Sequence, residues 1–381
     1  MMTCAVTTSF LGCLATGILF VRYVGLSGAS TGQKAALFIL FMLAGCIPLF
    51  VSYRLENVLG SFYPFYRYAL YFIYVGCIIL LVLTLFRDAF WAAGYGLSRL
   101  TGYGVAVSPL SPEWTAKANA LTLAAAVLLT ITALYSGTKT PDVKTVNITS
   151  DKITQSRTAV VLSDLHIHRT ISADKIRKIV ERTNAQNPDV ILLAGDIIDD
   201  DAARVAGMTE LLKGLRAPEG IYFVTGNHEF YAGYKETVDA LKNLGFKFLE
   251  NDGLPIGEDV YLAGIPDFTS FRAFGLKIDL PEAFAQASAE RFRILMSHTP
   301  ADFGNDNNFD LEVSGHTHGG QIFPFHIFAK LHNRYLAGLY EMGRDARIYV
   351  SRGAGQWGPQ MRFLAPSEIT RIRLEPSSGN N

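Results

Sequence analysis

Five short apolar runs, each ending on a residue able to hold a metal, constrain this chain more than any other feature. They are TAVVLS before Asp164, DVILLAG before Asp196, GIYFVTG before Asn227, RFRILMS before His298 and FDLEVSG before His316. Runs this short, rich in Val, Ile and Leu and bounded by Gly or polar residues, read as buried strands. Helical patterns fall between them at 172–186, opened by a Ser172 cap, and at 201–214, 235–243 and 280–288. Such alternation predicts an α/β domain whose strand ends converge on one rim. Asp164, His166, Asp196, Asn227, His298, His316 and His318 would then face one point. Carboxylate, amide and imidazole donors together suit two hard-to-borderline ions, and a metal pair suits hydrolysis of a phosphate ester.

The first third of the 381-residue chain obeys different rules. Residues 1–137 hold seven basic and three acidic side chains, which leaves 27 basic and 31 acidic for the remainder. Four stretches, about 5–21, 35–53, 69–86 and 118–135, lack Lys, Arg, Asp and Glu altogether. A charge at mid-bilayer costs about 2.5–3.5 kcal/mol on insertion scales, so these gaps predict four transmembrane helices. The first is expected to be a retained span, because no basic residue precedes Arg22 as a signal peptide would require. The aromatic stretch 90–104, with Trp91, Tyr95 and Tyr103, would suit the membrane interface. Four spans put both ends of the membrane unit on one side, and the flanking Lys and Arg tie at five against five. The expected organisation is a membrane unit over 1–137, a polar linker over 138–156, a catalytic domain over 157–375 and a polar tail.

Composition also excludes. The part beyond residue 137 has no basic surplus to neutralise phosphates, so nucleic acid is not expected as a partner. All four cysteines (Cys4, Cys13, Cys46, Cys77) lie in the apolar third. The catalytic part therefore has neither disulfides nor thiolate ligands.

The motifs in order are D-L-H (164–166), G-D-I-I-D (195–199), G-N-H-E (226–229), S-H (297–298) and G-H-T-H-G-G-Q (315–321). This pattern resembles the calcineurin-like metallophosphoesterase superfamily at each signature position, over about residues 157–375. The closing block YVSRGAGQWGPQMRFLAPSEI (349–369) resembles a bacterial membrane-associated branch. That branch includes relatives of the enzymes that split UDP-2,3-diacylglucosamine and exported phosphodiesterase-like proteins. The resemblance implies a four-layer αββα sandwich following the membrane unit. It implies that Asp164, His166 and His318 bind one ion, that Asn227, His298 and His316 bind the other, and that Asp196 bridges them. The ions would lie about 3.5–4 Å apart with a shared hydroxide as nucleophile. Mn²⁺ is the ion expected, with Fe or Zn²⁺ as alternatives the donor set accepts. His228 would be the catalyst that is not a ligand, stabilising charge or protonating the leaving oxygen. Glu229, where many relatives carry Asp, would orient the His228 ring. Glycines 195, 226, 315, 319 and 320 would permit tight turns beside the metals.

Other conspicuous residues have plainer readings. His168 reads as a residue at the cleft edge, and His326 and His332 as packing residues of the aromatic segment FPFHIFAKLHNRY. Asp199, Asp200 and Asp201 read as a helix N-cap with a solvated first turn. Arg352 and Arg362 would either reach phosphate or form surface ion pairs.

The function expected is a membrane-anchored two-metal phosphohydrolase acting on a phosphoester or pyrophosphate, with a lipid-linked substrate as one form. Alternatives are a phosphodiesterase acting on nucleotides or other soluble substrates, and a transporter or sensor with a regulatory phosphoesterase-like domain. The absence of ionisable residues from the four spans favours an anchor over a transport pathway. By analogy with exported relatives, the protein is expected in a bacterial inner membrane, multi-pass, with its catalytic domain outside the cytoplasm.

Overall fold

The structure is a computed structural model that describes residues 2–25, 30–47, 55–103, 112–267, 275–301, 308–342 and 346–377. The chain divides into two compact units, Met1–Tyr135 and Ser136–Asn381.

The first unit is helical: α1 (Met2–Phe20), α2 (Thr31–Gly45), α3 (Tyr63–Thr101) and the greater part of α4 (Pro112–Thr138). Among the described residues, two helices are long and apolar enough to cross a membrane, Gly60–Thr101 and Trp114–Thr138. The expectation of four spans is therefore corrected to two, with Ser9–Val24 and Thr31–Gly45 as shorter apolar helices. The second expected span shortens because α2 ends at Gly45, where the next residue, Cys46, leaves helical geometry (φ −85°, ψ 2°); its remainder, 48–53, lies outside the described residues. Ser30 opens α2 with a capping box, accepting from the Gln33 N–H at 3.3 Å. α1 and α2 approach closely at Gly12 and Gly45, where an added Cβ on either residue would collide with the other helix's backbone. The aromatic stretch from residue 90 simply continues α3 as far as Thr101, where Gly102 closes it in a left-handed conformation.

The second unit holds two six-stranded sheets of mixed direction. The strands are β1 (Asp142–Ser150), β2 (Arg157–Leu162), β3 (Val190–Ala194), β4 (Ile221–Val224), β5 (Lys247–Phe248), β6 (Asp252–Ile256), β7 (Val260–Gly264), β8 (Phe292–Met296), β9 (Leu311–Ser314), β10 (Gly338–Met342), β11 (Ala346–Val350) and β12 (Glu368–Pro376). The sheet orders are β1-β12-β2-β3-β4-β5 and β10-β11-β9-β8-β7-β6. About half of the stretch expected as a linker is strand: β1 pairs with β12 from Asp142↔Glu368 to Ser150↔Pro376.

Alternation along each strand builds the layers. Ala159, Val161, Leu192 and Val224 of the first sheet meet Leu262, Ile294, Met296 and Val313 of the second in a shared core. The alternate residues Val160, Leu162, Ile191, Leu193 and Phe223 point the other way, under α5 (Ala173–Asn184) and α6 (Asn227–Asn243). The outer face of the second sheet is covered more thinly, by the single turn Leu280–Ala283, Phe284 and Tyr335 among the described residues. The unit thus has an α/β/β core arrangement with a slight fourth layer where a full one was expected.

Helix boundaries also differ from expectation. Ser172 caps α5 as read, accepting from the Lys175 N–H at 3.2 Å. The helix expected at 201–214 is reduced to the turns Ala206–Thr209 and Glu210–Gly214. α6 begins eight residues before the expected 235, at Asn227 itself.

Candidate metal centre

β2, β3 and β4 run parallel in one sheet, and β7, β8, β9 and β11 run parallel in the other. Their carboxyl ends share one rim, and each of the seven expected ligands follows one of them. Asp164, His166, Asp196, His316 and His318 have φ between 46° and 68°. This left-handed region is sparsely used by residues with a Cβ, though Asp and His tolerate it better than most. Its concentration here marks turns bent to aim side chains inward.

The structure brings the predicted residues together in overlapping groups. Asp164, His166 and His318 offer ligand atoms within 4.8 Å of one another, as do His166, Asp196 and His228, and Asp164, Asp196 and His298. His166 Nε2 faces His318 Nε2 at 3.0 Å, and His298 Nε2 lies 3.2 Å from Asp196 Oδ2. His316 joins through its N–H, which donates to Asp164 Oδ1 at 3.0 Å, and through its Nδ1, 3.0 Å from Asn227 Oδ1. Asp196 Oδ1 accepts from the His228 N–H at 2.8 Å.

Two buried nitrogens test whether this set fits metal ions. His298 Nδ1 lies 2.9 Å from the Ala194 carbonyl and donates to it, leaving Nε2 as a lone pair pointed at Asp196. That Nε2 and the Nδ1 of His166 have no hydrogen-bond partner despite complete burial. Unmatched imidazole nitrogens beside buried carboxylates are costly in a protein interior but are what cations require. The donor set fits divalent ions.

Electrostatics follow from the same crowding. Burial pushes the Asp164 carboxyl up. Burial would do the same to Asp196, but His298, His228 and His166 outweigh it and hold that carboxyl well below the usual range. Burial depresses His316 to about 4, helped by the neighbouring His298. In His228 burial is overcome by Asp196 and Asp199, which raise the ring to about 9.

Several roles differ from expectation. Glu229 does not orient the His228 ring. Its carboxylate accepts from four backbone N–H groups, those of Asp196 (2.9 Å), Ile197 (2.6 Å), Ile198 (3.0 Å) and Gly226 (2.7 Å). Glu229 thus ties the turn after β3 to the turn after β4 and frames Asp196 from behind. Asp199, read from sequence as part of a solvated cap, is the residue that pairs with His228 Nδ1, and its other oxygen lies 3.4 Å from His166 Nδ1. Of the three consecutive acids, Asp201 alone behaves as a cap, accepting from the Ala203 N–H at 3.0 Å, while Asp200 pairs with Arg169 at 2.7 Å.

Arg362 does not reach phosphate or the surface. It is fully buried, donating to the carbonyls of Gly355 (2.7 Å), Ala365 (3.1 Å) and His318 (3.1 Å), with Nη2 3.1 Å from His318 Nδ1. Arg352 pairs with Glu368 at 2.9 Å. His168 is buried, its Nδ1 accepting from the Thr170 N–H at 3.1 Å. His326 stacks on Phe323, and His332 is exposed. Sequence reading also passed over Asp267, buried after β7 and accepting from Thr299 Oγ1 at 2.6 Å. The run VYLAGIP before it carried the same signal as the five runs already read.

The comparisons with known proteins agree with this geometry. The model of the calcineurin-like phosphoesterase family matches residues 157–320. An uncharacterized metallophosphoesterase of Helicobacter pylori is 34% identical over 64% of this chain and 66% of its own. Another from Campylobacter jejuni is 34% identical over 65% and 67%. A zebrafish protein described as a transmembrane protein with a metallophosphoesterase domain is 33% identical over 67% of this chain and 62% of its own. The chain thus spans about two thirds of the length of these relatives, which come from bacteria and animals alike and do not single out the diacylglucosamine branch. Strand-end motifs, ligand cluster and relatives converge: this chain belongs to the calcineurin-like metallophosphoesterase family.

Proposed function

We propose that the protein is a membrane-anchored, metal-dependent phosphohydrolase that cleaves a phosphoester or pyrophosphate bond. Asp164, His166 and His318 would hold one divalent ion, Asn227, His298 and His316 a second, and Asp196 would serve both. Mn²⁺ is the first choice, with Fe or Zn²⁺ accepted by the same donors. Divalent ions in such a cage act as Lewis acids on phosphoryl oxygens and make water acidic enough to attack at neutral pH. The chain's own residues supply the rest. His228, steered by Asp199, stands beside the cage and is placed to donate a proton to the departing oxygen or to stabilise charge on the phosphoryl group. Glu229 keeps Asp196 aimed at the centre through the backbone it binds. The apolar N-terminal helices favour substrates kept at a bilayer, such as lipid-linked phosphodiesters or pyrophosphates.

The observation that carries this reading is the buried cluster in which His298 Nε2 and His166 Nδ1 lack partners while facing carboxylates. The test is hydrolysis of p-nitrophenyl phosphate and bis-p-nitrophenyl phosphate by Mn²⁺-loaded full chain, beside Asp196→Ala. Turnover lost in the variant is the expected result. Wild-type turnover no higher than that of the variant would sink the reading.

A further inference from the structure

The second unit presents an apolar surface that its own core does not use. The helix α7 (Phe325–Asn333) has no buried residue, and its Ile327, Phe328 and Leu331 are 48%, 63% and 79% exposed. Leu364 and Trp357 are also exposed. Hydrogen bonds bind these segments into one surface. The Phe323 N–H donates to the Phe363 carbonyl at 3.1 Å, and the Phe363 N–H to the Gln321 carbonyl at 2.9 Å. The Gln321 side chain donates to the Trp357 carbonyl at 2.7 Å and accepts from the Trp357 N–H at 3.0 Å. The patch borders the cage: Gly320, two residues beyond His318, packs so tightly on His326 of α7 that a Cβ would collide with it.

Charge says what this surface fits. Between Gln321 and Tyr340 the chain has Lys330, Arg334, His326 and His332 and no Asp or Glu. Nor is there an acidic residue from Arg352 to Pro366. The remainder beyond residue 137 carries more acidic than basic residues, so this patch is basic against an acidic background. A short helix with bulky apolar residues outward and cations beside them suits the boundary of an anionic bilayer. The chain also enters this unit here. The unit's own Gly137 lies against Gln360 and Met361, and the Gln356 side chain donates to its carbonyl. Gly137 falls in the last turn of an apolar helix long enough to span a membrane, and Trp357 and Leu364 flank the loop it rests on.

We propose that this face docks on the lipid bilayer, with Ile327, Phe328, Leu331, Trp357 and Leu364 in the headgroup boundary and Lys330 and Arg334 against anionic headgroups. The metal cleft would then open beside phosphoesters displayed on that surface. The inference rests on the membrane anchoring and not on hydrolysis, so it can be tested without turnover. The full chain, carrying photoreactive p-benzoylphenylalanine at position 328, 331 or 364, would be reconstituted in nanodiscs of phosphatidylcholine with a minority of phosphatidylglycerol. The control position is Lys178, exposed on α5. Irradiation should give lipid adducts several-fold more often at the three patch positions than at 178, and Lys330→Glu with Arg334→Glu should reduce them several-fold. Adducts no more frequent than at 178, or crosslinks to a second copy of the chain in their place, would overturn the docking. Adducts unchanged by the charge reversals would overturn the role given to the cations.

Discussion

Asp199 holds the role that sequence alone suggests for Glu229, while Glu229 ties two buried turns together, and both departures can be measured. Asp199 sits on His228 Nδ1, so Asp199→Asn leaves the ring in place but weakens the preference for its charged form. Turnover should fall about 10–100-fold, short of the roughly 10²–10⁴-fold expected when a general acid–base group is removed by His228→Gln. If the two act as one unit, the double variant should be no slower than His228→Gln alone. Metal content measured by mass spectrometry should stay unchanged in all three, and multiplicative losses would show that the pair does not work as a unit. Glu229→Gln makes a different prediction. One carboxylate oxygen becomes an NH₂ that faces a backbone N–H, leaving a buried donor unmatched at a cost of about 1–3 kcal/mol. Thermal stability and metal content should both drop, because the loop that aims Asp196 loses its tie. Unaltered metal content in a less stable Glu229→Gln protein would confine Glu229 to fold stability.

At the scale of elements, the strand ends were legible and much of what surrounds them was not. Each buried parallel strand is a short apolar run ending in Gly or Ser, a signal that survives without its neighbours. β1 gives no such signal, because it is an edge strand with Ile148 its one buried residue, and its partner β12 is more than two hundred residues away. The sequence places the start of α6 too late because Gly233, at φ 114°, breaks the helical period in its middle. The role of Asp199 is hidden in sequence because three adjacent acids look like a cap until the fold brings His228 across. Glu312 on β9 shows how an element can carry a pH dependence of its own. It is fully buried, accepting from the Ala301 N–H at 2.9 Å and from Ser314 Oγ at 2.7 Å, while Oε2 has no partner. Burial raises its carboxyl to about 8 from 4.5. Between those values the folded chain holds a proton that the unfolded chain has released, so stability should fall as pH rises through the window. Glu312→Gln keeps the shape without the titration. Relative to that variant, the wild type should lose at least about 2–4 °C in Tm across the window, the shift 1 kcal/mol produces in a domain of this size. Parallel Tm curves for the two proteins would count against a titrating Glu312.

For the whole molecule, the cage implies that metal binding and folding are linked. Side chains from five strand ends and both sheets meet there, so ions that bind them stabilise the assembled sheets and gain nothing comparable from the unfolded chain. One ion at a hundred times its dissociation constant contributes about 2.7 kcal/mol, or about 5–10 °C in the Tm of a unit this large. Full-length protein stripped with a chelator should therefore melt several degrees lower and lose hydrolysis, and Mn²⁺ should restore both. Asp196→Ala separates this from nonspecific ion effects, since removing the shared carboxylate should abolish most of the gain in Tm while the surface stays the same. Arg362→Met probes the same linkage from outside the ligand set. Losing the guanidinium frees His318 and several loop carbonyls, so the first ion should bind more weakly while the second, held by Asn227, His298 and His316, is retained. A two-site metal titration reads that difference directly. Equal weakening of both sites would make Arg362 a general prop of the fold, and a Mn²⁺-dependent rise in Tm that persists in Asp196→Ala would mean that the ions stabilise the protein somewhere other than this cage.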